Sequence, residues 1–260
     1  MTSKHYSLTS KQLAILNLLY RFRFITSDRL SKTLNISKST TNKRLQLLLE
    51  LNYIGRLHKP EDRILHKHAA YYLLPGGIAE LKKISQDKYL PKVLRNIRND
   101  AKASDQFVDH NLAVHDVYYA LRSEYGDKLQ FFTSPQMAAV SYFPKQTPDA
   151  HIQLGRDNPS LFLLDVLHQD QPFFKATRAI FRYVKYASQD EWPNQYEFPK
   201  TLLVCDGLAL KKRLIKKLQY ALENLDDTRL QFFITTQDDL KNDKWNSMAE
   251  PEEILSLSQI

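Results

Sequence analysis

Two aspartates in the second half of the chain have the type and spacing of metal ligands. Asp149 directly follows a proline in TPDA, and Asp165 closes the apolar run LFLLD. The polar segment GRDNP at 155–159 predicts a turn between two antiparallel strands, which would bring both carboxylates to one end of a hairpin. Carboxylates that converge from adjacent strands can hold Mg²⁺ or Mn²⁺ for cleavage of a phosphodiester. Asp149 and Asp165 are therefore candidate catalytic and metal-ligating residues; the alternative is that they merely end two core strands.

The charge of the chain is unevenly distributed. The 260 residues carry a net charge of +8, but residues 1–100 hold 19 Lys and Arg against 7 Asp and Glu, a balance of +12. The remaining residues hold 18 against 22, a balance of −4. A basic segment attracts polyanions by counterion release, and nucleic acid is the commonest such partner. DNA is accordingly the expected partner, and the alternative is a lysine-rich solvated surface.

Composition argues against several classes of protein. No run of about 18 uncharged apolar residues is present, so we expect no membrane span. The first residues, MTSKHYSLTSKQ, lack the apolar stretch of a secretory signal. The single cysteine, Cys205, excludes an intramolecular disulfide and a cysteine-rich zinc site. We expect a cytoplasmic protein.

The first part of the chain predicts three helices followed by a hairpin. Helix-capping residues and leucine spacing place the helices at about 10–22, from Thr26 to near Asn35, and from Ser37 to about Gly55. Two extended segments, about 54–59 and 68–74, flank a polar turn. This order resembles a winged helix-turn-helix, whose third helix enters the major groove of DNA while the hairpin wing contacts the backbone or minor groove.

The third helix divides into a polar front half and a leucine-rich back half, which leaves the front half free to meet DNA. Ser and Thr can contact phosphate oxygens, Asn can pair with adenine, and Lys or Arg can contact phosphate or guanine. The predicted DNA-binding residues of the helix are Lys38, Ser39, Thr40, Thr41, Asn42, Lys43 and Arg44. Those of the wing are Arg56, His58, Lys59, Arg63 and Lys67. The alternative role for such a module is protein docking.

The second half of the chain predicts a mixed α/β sheet layered with helices. Strand candidates are LQFFTS, MAAVSYF, DAHIQL, LFLLDVL, KTLLVCD and LQFFITT, interspersed with three amphipathic helices. ProGlyGly at 75–77 is expected to break the chain before a short helix, IAELKKI. We therefore expect a DNA-binding domain at 1–84, a helical linker at 85–104, an α/β domain at 105–237 and a peripheral acidic tail at 238–260.

Two resemblances refine this interpretation. ProAsp at 148–149, the turn and the apolar strand ending at Asp165 look like the hairpin of restriction-endonuclease-like PD-(D/E)xK nucleases. Most of residues 8–235 also resembles the replication-relaxation family of plasmid and conjugative-element proteins. The segments that carry this likeness are FVDHNLAVHDV at 107–117, PDA at 148–150, FLLDV at 162–166 and RYVKY at 182–186. The resemblance implies an α/β protein, α+β overall, with a winged helix followed by a nuclease-like mixed-sheet domain.

One position departs from the nuclease pattern. In that pattern a lysine lies two residues beyond the second acid, and here that position is Leu167. His168 and Gln169 follow the strand and could approach the acids. A substitute cation could also come from the next helix, whose basic stripe could contact phosphate: Lys175, Arg178, Arg182 and Lys185. The alternative is a solvated helix face, and a non-catalytic nuclease-like scaffold is the favoured interpretation.

Three functions fit these patterns. The leading hypothesis is a DNA-binding protein that acts in replication, relaxation or mobilisation of a plasmid or other mobile element. No cofactor is assigned to it apart from the candidate Mg²⁺ or Mn²⁺, and its expected partners are DNA, a second copy of the chain in a homodimer, and replication or mobilisation proteins. The second hypothesis is a nickase or nuclease that uses Mg²⁺ or Mn²⁺ at Asp149 and Asp165. The third is a winged-helix transcription regulator whose C-terminal domain dimerises or docks a partner.

Overall fold

The chain divides into two units, Met1–His115 and Asp116–Ile260. The structure, a computed structural model, describes residues 7–59, 67–84, 89–144, 146–189, 191–193, 196–222 and 229–260. None of the helices in these ranges combines the length and the apolar character that a bilayer span requires.

The first unit contains helices and a small antiparallel sheet. Its elements are α1 (Ser10–Phe22), β1 (Ile25–Thr26), α2 (Ser27–Thr33), α3 (Lys38–Glu50), β2 (Ile54–Leu57), β3 (Ala70–Leu73), α4 (Pro75–Ile84), α5 (Pro91–Ile97) and the start of α6 (Asp105–Tyr125). The strands follow the order β1-β3-β2, and both pairings are antiparallel. Three helices followed by a β2–β3 hairpin form a winged helix, as the sequence predicts.

Side-chain caps explain where the first three helices begin. Thr9 forms a capping box with Gln12 at α1, Thr26 accepts from the backbone N–H of Arg29 at α2, and Ser37 accepts from that of Thr40 at α3. Each cap satisfies an N–H that has no partner within its helix, an effect of about 1 kcal/mol. The predicted starts of these helices are confirmed.

The expected break at residues 75–77 is wrong, because α4 begins at Pro75 and includes both glycines. Proline suits the first helical position, where its missing N–H would have no partner. Gly77 is needed for close packing, since a Cβ there would lie 2.3 Å from the backbone oxygen of Tyr53. Glycine therefore allows α4 to pack directly against the chain that enters β2.

The segment expected to be a linker packs within the first unit. Asp100, which is 1% exposed, accepts hydrogen bonds from the guanidinium of Arg23, with Arg23 Nε at 3.0 Å. In α6, His115 is buried and its Nε2 lies 3.1 Å from the hydroxyl of Thr33 on α2. The start of the FVDHNLAVHDV segment is thereby attached to the winged helix, with Val108 and Leu112 in its core.

The second unit is built on one mixed sheet. Its strands are β4 (Leu129–Thr133), β5 (Ala150–Leu154), β6 (Ser160–Leu167), β7 (Lys200–Cys205), β8 (Phe232–Thr236), β9 (Trp245–Ser247) and β10 (Ile254–Leu255). Its helices after α6 are α7 (Ser134–Met137), α8 (Phe173–Ser188), α9 (Leu208–Leu222) and α10 (Gln237–Leu240). The strand order is β10-β9-β8-β7-β6-β5-β4, with β6, β7 and β8 parallel and the other pairings antiparallel.

Two expectations for this unit are wrong. The MAAVSYF segment forms no strand; Met137 ends the short helix α7, which a capping box between Thr133 and Gln136 starts. Residues 238–260 are not a peripheral tail, because β9 and β10 extend the sheet and both Trp245 and Leu257 are fully buried. Burial of these apolar side chains outweighs the acidic composition that suggested a solvated tail.

Helices α8 and α9 cover one face of the sheet through a shared apolar core. The core joins Leu163 and Leu203 of the central strands to Ile180 and Tyr183 of α8 and to Leu214 of α9. The inward-facing side of β6 therefore lies against α8. Because Asp165 lies two residues from both Leu163 and Leu167 along β6, its side chain is on the same face as theirs.

Candidate functional site

The front half of α3 presents a polar surface. Ser37 caps the helix, and its hydroxyl also donates to the hydroxyl of Thr40 at 2.8 Å. The exposed side chains of this half are Lys38, Ser39, Asn42 and Lys43, and Thr40 is half-buried. The back half faces the core through Leu45 and Leu48. The division predicted from the sequence is present, and four of the seven predicted helix residues are exposed.

Two of those seven residues lie differently from the expectation. Thr41 is fully buried and its hydroxyl donates to the backbone oxygen of Ser37 at 3.1 Å, so it cannot reach a ligand. Its assignment to the DNA-binding surface is therefore wrong, because Thr41 lies on the buried side of α3 and its hydroxyl bonds the preceding turn of the helix. Arg44 is half-buried, and its Nη1 is buried with no hydrogen-bond partner in the described part of the chain. Asn42 and Lys43 remain as the central exposed pair.

Several predicted DNA-binding cations already have acidic partners. Lys38 pairs with Asp28 at 2.7 Å, and this hydrogen bond is the main reason that the pKa of Asp28 lies below its usual value. In the wing, Lys59 pairs with Asp105 at 2.6 Å. Exposed ion pairs such as these stabilise a protein by only about 0.2–1 kcal/mol each. A DNA phosphate can therefore replace the carboxylate as the partner of the lysine.

The remaining wing residues differ in their contacts and exposure. Lys67 lies 4.0 Å from Asp109, and its backbone oxygen is 3.3 Å from Nε2 of His58. Arg56 is exposed on β2, whereas Arg63 lies outside the described residues. Arg56 is thus the wing cation with the clearest access to a ligand.

The hairpin of β5 and β6 brings the two candidate acids together. Asp149 directly precedes β5, its N–H donates to the backbone oxygen of Leu164 at 2.9 Å, and its Oδ2 accepts from the N–H of Val166 at 2.8 Å. Asp149 therefore lies against the backbone on both sides of Asp165. The charge of Asp149 is close enough to contribute to the raised pKa of Asp165.

Asp165 is satisfied by two side chains of α8. The carboxylate is 6% exposed, and its Oδ2 accepts from Nη2 of Arg182 at 2.5 Å and from the hydroxyl of Tyr183 at 2.7 Å. Burial raises the pKa of Asp165 to about 6, while the guanidinium of Arg182 opposes this rise. An arginine stays protonated, so at neutral pH the two groups form a buried ion pair. Leu167, where the nuclease pattern has lysine, is buried in the core.

This arrangement does not fit a divalent cation between Asp149 and Asp165. The Oδ2 atoms of both carboxylates already accept hydrogen bonds from protein donors. The guanidinium of Arg182 compensates the charge of Asp165 and would repel a dication at the same carboxylate. Arg182 thus places a cation beside these acids, where the sequence has Leu167 in place of the lysine of the nuclease pattern, and it pairs directly with Asp165.

A different group of side chains has the donor atoms of a metal site. One ligand atom from each of His168, Asp170 and Asp206 lies within 4.8 Å of the others. The N–H of Gln169 donates to both carboxylate oxygens of Asp206 at 3.0 Å, which fixes that side chain. One imidazole with two carboxylates suits Mn²⁺ or Zn²⁺ better than Mg²⁺. Sequence reasoning noted His168 but missed Asp206; the signal was that both follow parallel strands, whose carboxyl ends share an edge.

A cleft of about 490 Å³ lies beside α8. Three of the four predicted stripe residues line it, namely Arg178, Arg182 and Lys185, whereas Lys175 is exposed outside it. Its other lining residues include Phe181, which is 44% exposed, and the polar residues Gln146, Gln189 and Glu191. Sequence reasoning missed Phe181, although its spacing from Arg178 and Lys185 places it on the same helix face.

Among solved structures, several chains are similar to less than half of this chain. They include a probable transcriptional regulator from Pseudomonas aeruginosa, at 23% identity, 39% of this chain, 71% of that chain and a TM-score of 0.27. A mutant of MarR from E. coli complexed with operator DNA has 19% identity, 45% and 76% coverage and a TM-score of 0.28. A mutant of ZitR from Lactococcus lactis has 22% identity, 48% and 80% coverage and a TM-score of 0.28.

The family comparison covers both units. No curated protein matches the chain. The family described as replication-relaxation matches residues 16–201, from the first helix of the winged helix to the second residue of β7. Because this match spans most of the chain, the protein is a member of the replication-relaxation family.

Proposed function

We infer that the protein binds duplex DNA through the front half of α3 and the wing, and that it acts in replication, relaxation or mobilisation of a plasmid or other mobile element. Membership of the replication-relaxation family supports a DNA-binding role connected with replication. The observation that carries the proposal is the exposed polar half of α3, with Asn42 and Lys43 at its centre, in a segment with a charge balance of +12. Arg56 on the wing supplies a second exposed cation.

The double variant Lys43→Gln/Arg56→Gln is expected to bind a 30-base-pair mixed-sequence duplex about tenfold more weakly than the unaltered protein. Each lost phosphate contact should also reduce the slope of log affinity against log salt by about 1. Fluorescence anisotropy of a labelled duplex at several salt concentrations measures both quantities. Arg44 is left unchanged because its half-buried side chain would add a packing effect.

The matched control is Lys11→Gln/Lys82→Gln, which removes the same charge from exposed positions on α1 and α4. If this control lost as much affinity as the α3 and wing variant, the effect would come from overall charge. Unchanged binding by Lys43→Gln/Arg56→Gln would reject the proposed surface.

For the second unit we propose a nuclease-like scaffold that does not cleave DNA, since Arg182 and Tyr183 satisfy Asp165. Supercoiled plasmid incubated with the protein and Mg²⁺ or Mn²⁺ should show no nicking above that of a mock preparation. The convergence of Asp149 and Asp165 favours the nickase as the second candidate. Metal-dependent nicking by the wild type that Asp149→Asn abolishes would establish that candidate; Asp149 is half-buried, so this substitution disturbs packing less than one at Asp165.

A further inference from the structure

The cleft beside α8 is lined by several cations. Arg178 and Lys185 are exposed and line it, and neither forms an ion pair with any residue that the structure describes. Arg182 adds a third cation, although it is paired with Asp165. Among the described lining side chains, Glu191 is the one acidic residue. This described lining has a net positive charge and suits an anionic ligand.

An aromatic ring lies between Arg178 and Lys185 along α8. Phe181 is 44% exposed, and its position three residues after Arg178 and four before Lys185 puts all three on one face of α8. The cleft therefore presents an accessible aromatic face with a cation on either side along the helix. Nucleobases have flat apolar faces and are joined by phosphates, so alternating cations and an aromatic ring match a nucleic-acid strand.

The shape of the cleft favours single-stranded over duplex nucleic acid. In a duplex the faces of the bases are covered by their neighbours, so stacking on a protein ring requires costly unstacking, whereas unpaired bases stack on aromatic side chains directly. The volume of about 490 Å³ lies in the range of small-ligand pockets and is too small for a duplex to enter. Gln146 and Gln189 add hydrogen-bonding groups at the rim.

We propose that this cleft binds single-stranded DNA, with Arg178 and Lys185 at two phosphates and Phe181 stacked on the base between them. The second unit would then hold one strand while the winged helix holds duplex DNA. This proposal goes beyond duplex binding by α3 and does not depend on it.

The test uses the full chain and a labelled 12-nucleotide oligo(dT), which forms no duplex of its own. All variants are made in the Lys43→Gln/Arg56→Gln background, so that binding by the winged helix contributes little. Arg178→Gln/Lys185→Gln should reduce affinity for oligo(dT) about tenfold or more, with a shallower dependence on salt. Phe181→Ala should reduce it about tenfold, but should leave affinity for an abasic strand of equal length unchanged, because that strand has phosphates and no bases.

Two matched controls make the result specific. Lys212→Gln/Lys216→Gln removes equal charge from exposed positions of α9, and Phe174→Ala removes an aromatic ring of α8 that is 61% exposed but does not line the cleft. Both should keep the affinity of the background protein. Equal loss in the controls, or equal binding of oligo(dT) by the cleft variants and the background, would overturn the proposal. Failure of the winged-helix proposal would instead appear as unchanged duplex binding by Lys43→Gln/Arg56→Gln.

Discussion

Arg182→Met is expected to lower the free energy of unfolding of the second unit by about 3–5 kcal/mol. The variant leaves the carboxylate of Asp165, which is 6% exposed, without its charge partner. Removal of one member of a buried ion pair leaves an uncompensated charge in a medium of low dielectric constant. Urea denaturation followed by tryptophan fluorescence measures this unit alone, because both tryptophans, Trp192 and Trp245, belong to it and are buried.

A double-mutant cycle separates loss of the pair from loss of packing. Asp165→Leu alone should also destabilise the unit, whereas Asp165→Leu/Arg182→Met should recover most of the lost stability, since an apolar pair of similar volume can replace a buried ion pair. Lys241→Met is the control, because the Lys241–Asp238 pair is largely exposed and should contribute little. If Arg182→Met were as stable as the wild type, Arg182 would be free to act on a ligand.

The second large effect is acid destabilisation through His151. This residue of β5 is 4% exposed; its Nδ1 lies 3.1 Å from the backbone oxygen of Phe162, and its Nε2 lies 3.2 Å from Nε2 of Gln153. An amide nitrogen only donates, so Nε2 of His151 accepts and Nδ1 carries the proton. The neutral ring thus has both hydrogen bonds, and burial lowers the pKa of His151 to about 4.

Because the pKa of His151 is lower in the folded chain than in the unfolded chain, acid lowers the stability of the fold. The unfolded chain binds the proton near pH 6.5 and the folded chain only near pH 4, so the stabilisation is complete above pH 6.5 and is lost as the pH falls towards 4. This lowering of the pKa of His151 from 6.5 to about 4 corresponds to about 3 kcal/mol of stability of the folded state. Urea denaturation at intervals between pH 7 and pH 4 measures this change.

The comparison variant is His151→Gln, which cannot titrate. The raised pKa of Asp165 acts in the opposite direction between about pH 6 and pH 4, so the informative quantity is the difference between wild type and variant. Stability of the wild type relative to His151→Gln should fall by about 3 kcal/mol over the range. Parallel pH profiles for the two proteins would show that His151 does not titrate in a buried environment.

Local sequence signals predicted much of the fold. Thr9, Thr26 and Ser37 cap helices as expected, because a cap acts on a backbone group only two or three residues away. The hairpin that joins Asp149 to Asp165 was predictable for the same reason, since its turn and its two strands are adjacent in the chain. The order of strands and helices also predicted a mixed α/β sheet, in which the structure shows β6, β7 and β8 to be parallel.

Contacts between residues that are far apart in the chain could not be predicted from local patterns. The acidic composition of residues 238–260 predicted a peripheral tail, but Trp245 and Leu257 are buried in the second unit. The partner of Lys59 is Asp105, 46 positions along the chain, and no local pattern indicates that contact. Composition describes which groups a segment has, whereas burial depends on which other segment covers it.

The sequence by itself determined a basic winged helix with a polar front half of α3, and a mixed α/β unit with two aspartates on one hairpin. Only the tertiary structure decided what those aspartates do. Arg182 lies 17 residues after Asp165, and packing of α8 on β6 brings its guanidinium to 2.5 Å from the carboxylate. The same packing leaves Arg178, Phe181 and Lys185 facing the cleft. Residue type sets the charge available, but the chemistry of a carboxylate depends on its solvation and nearest partners, which only the packed fold defines.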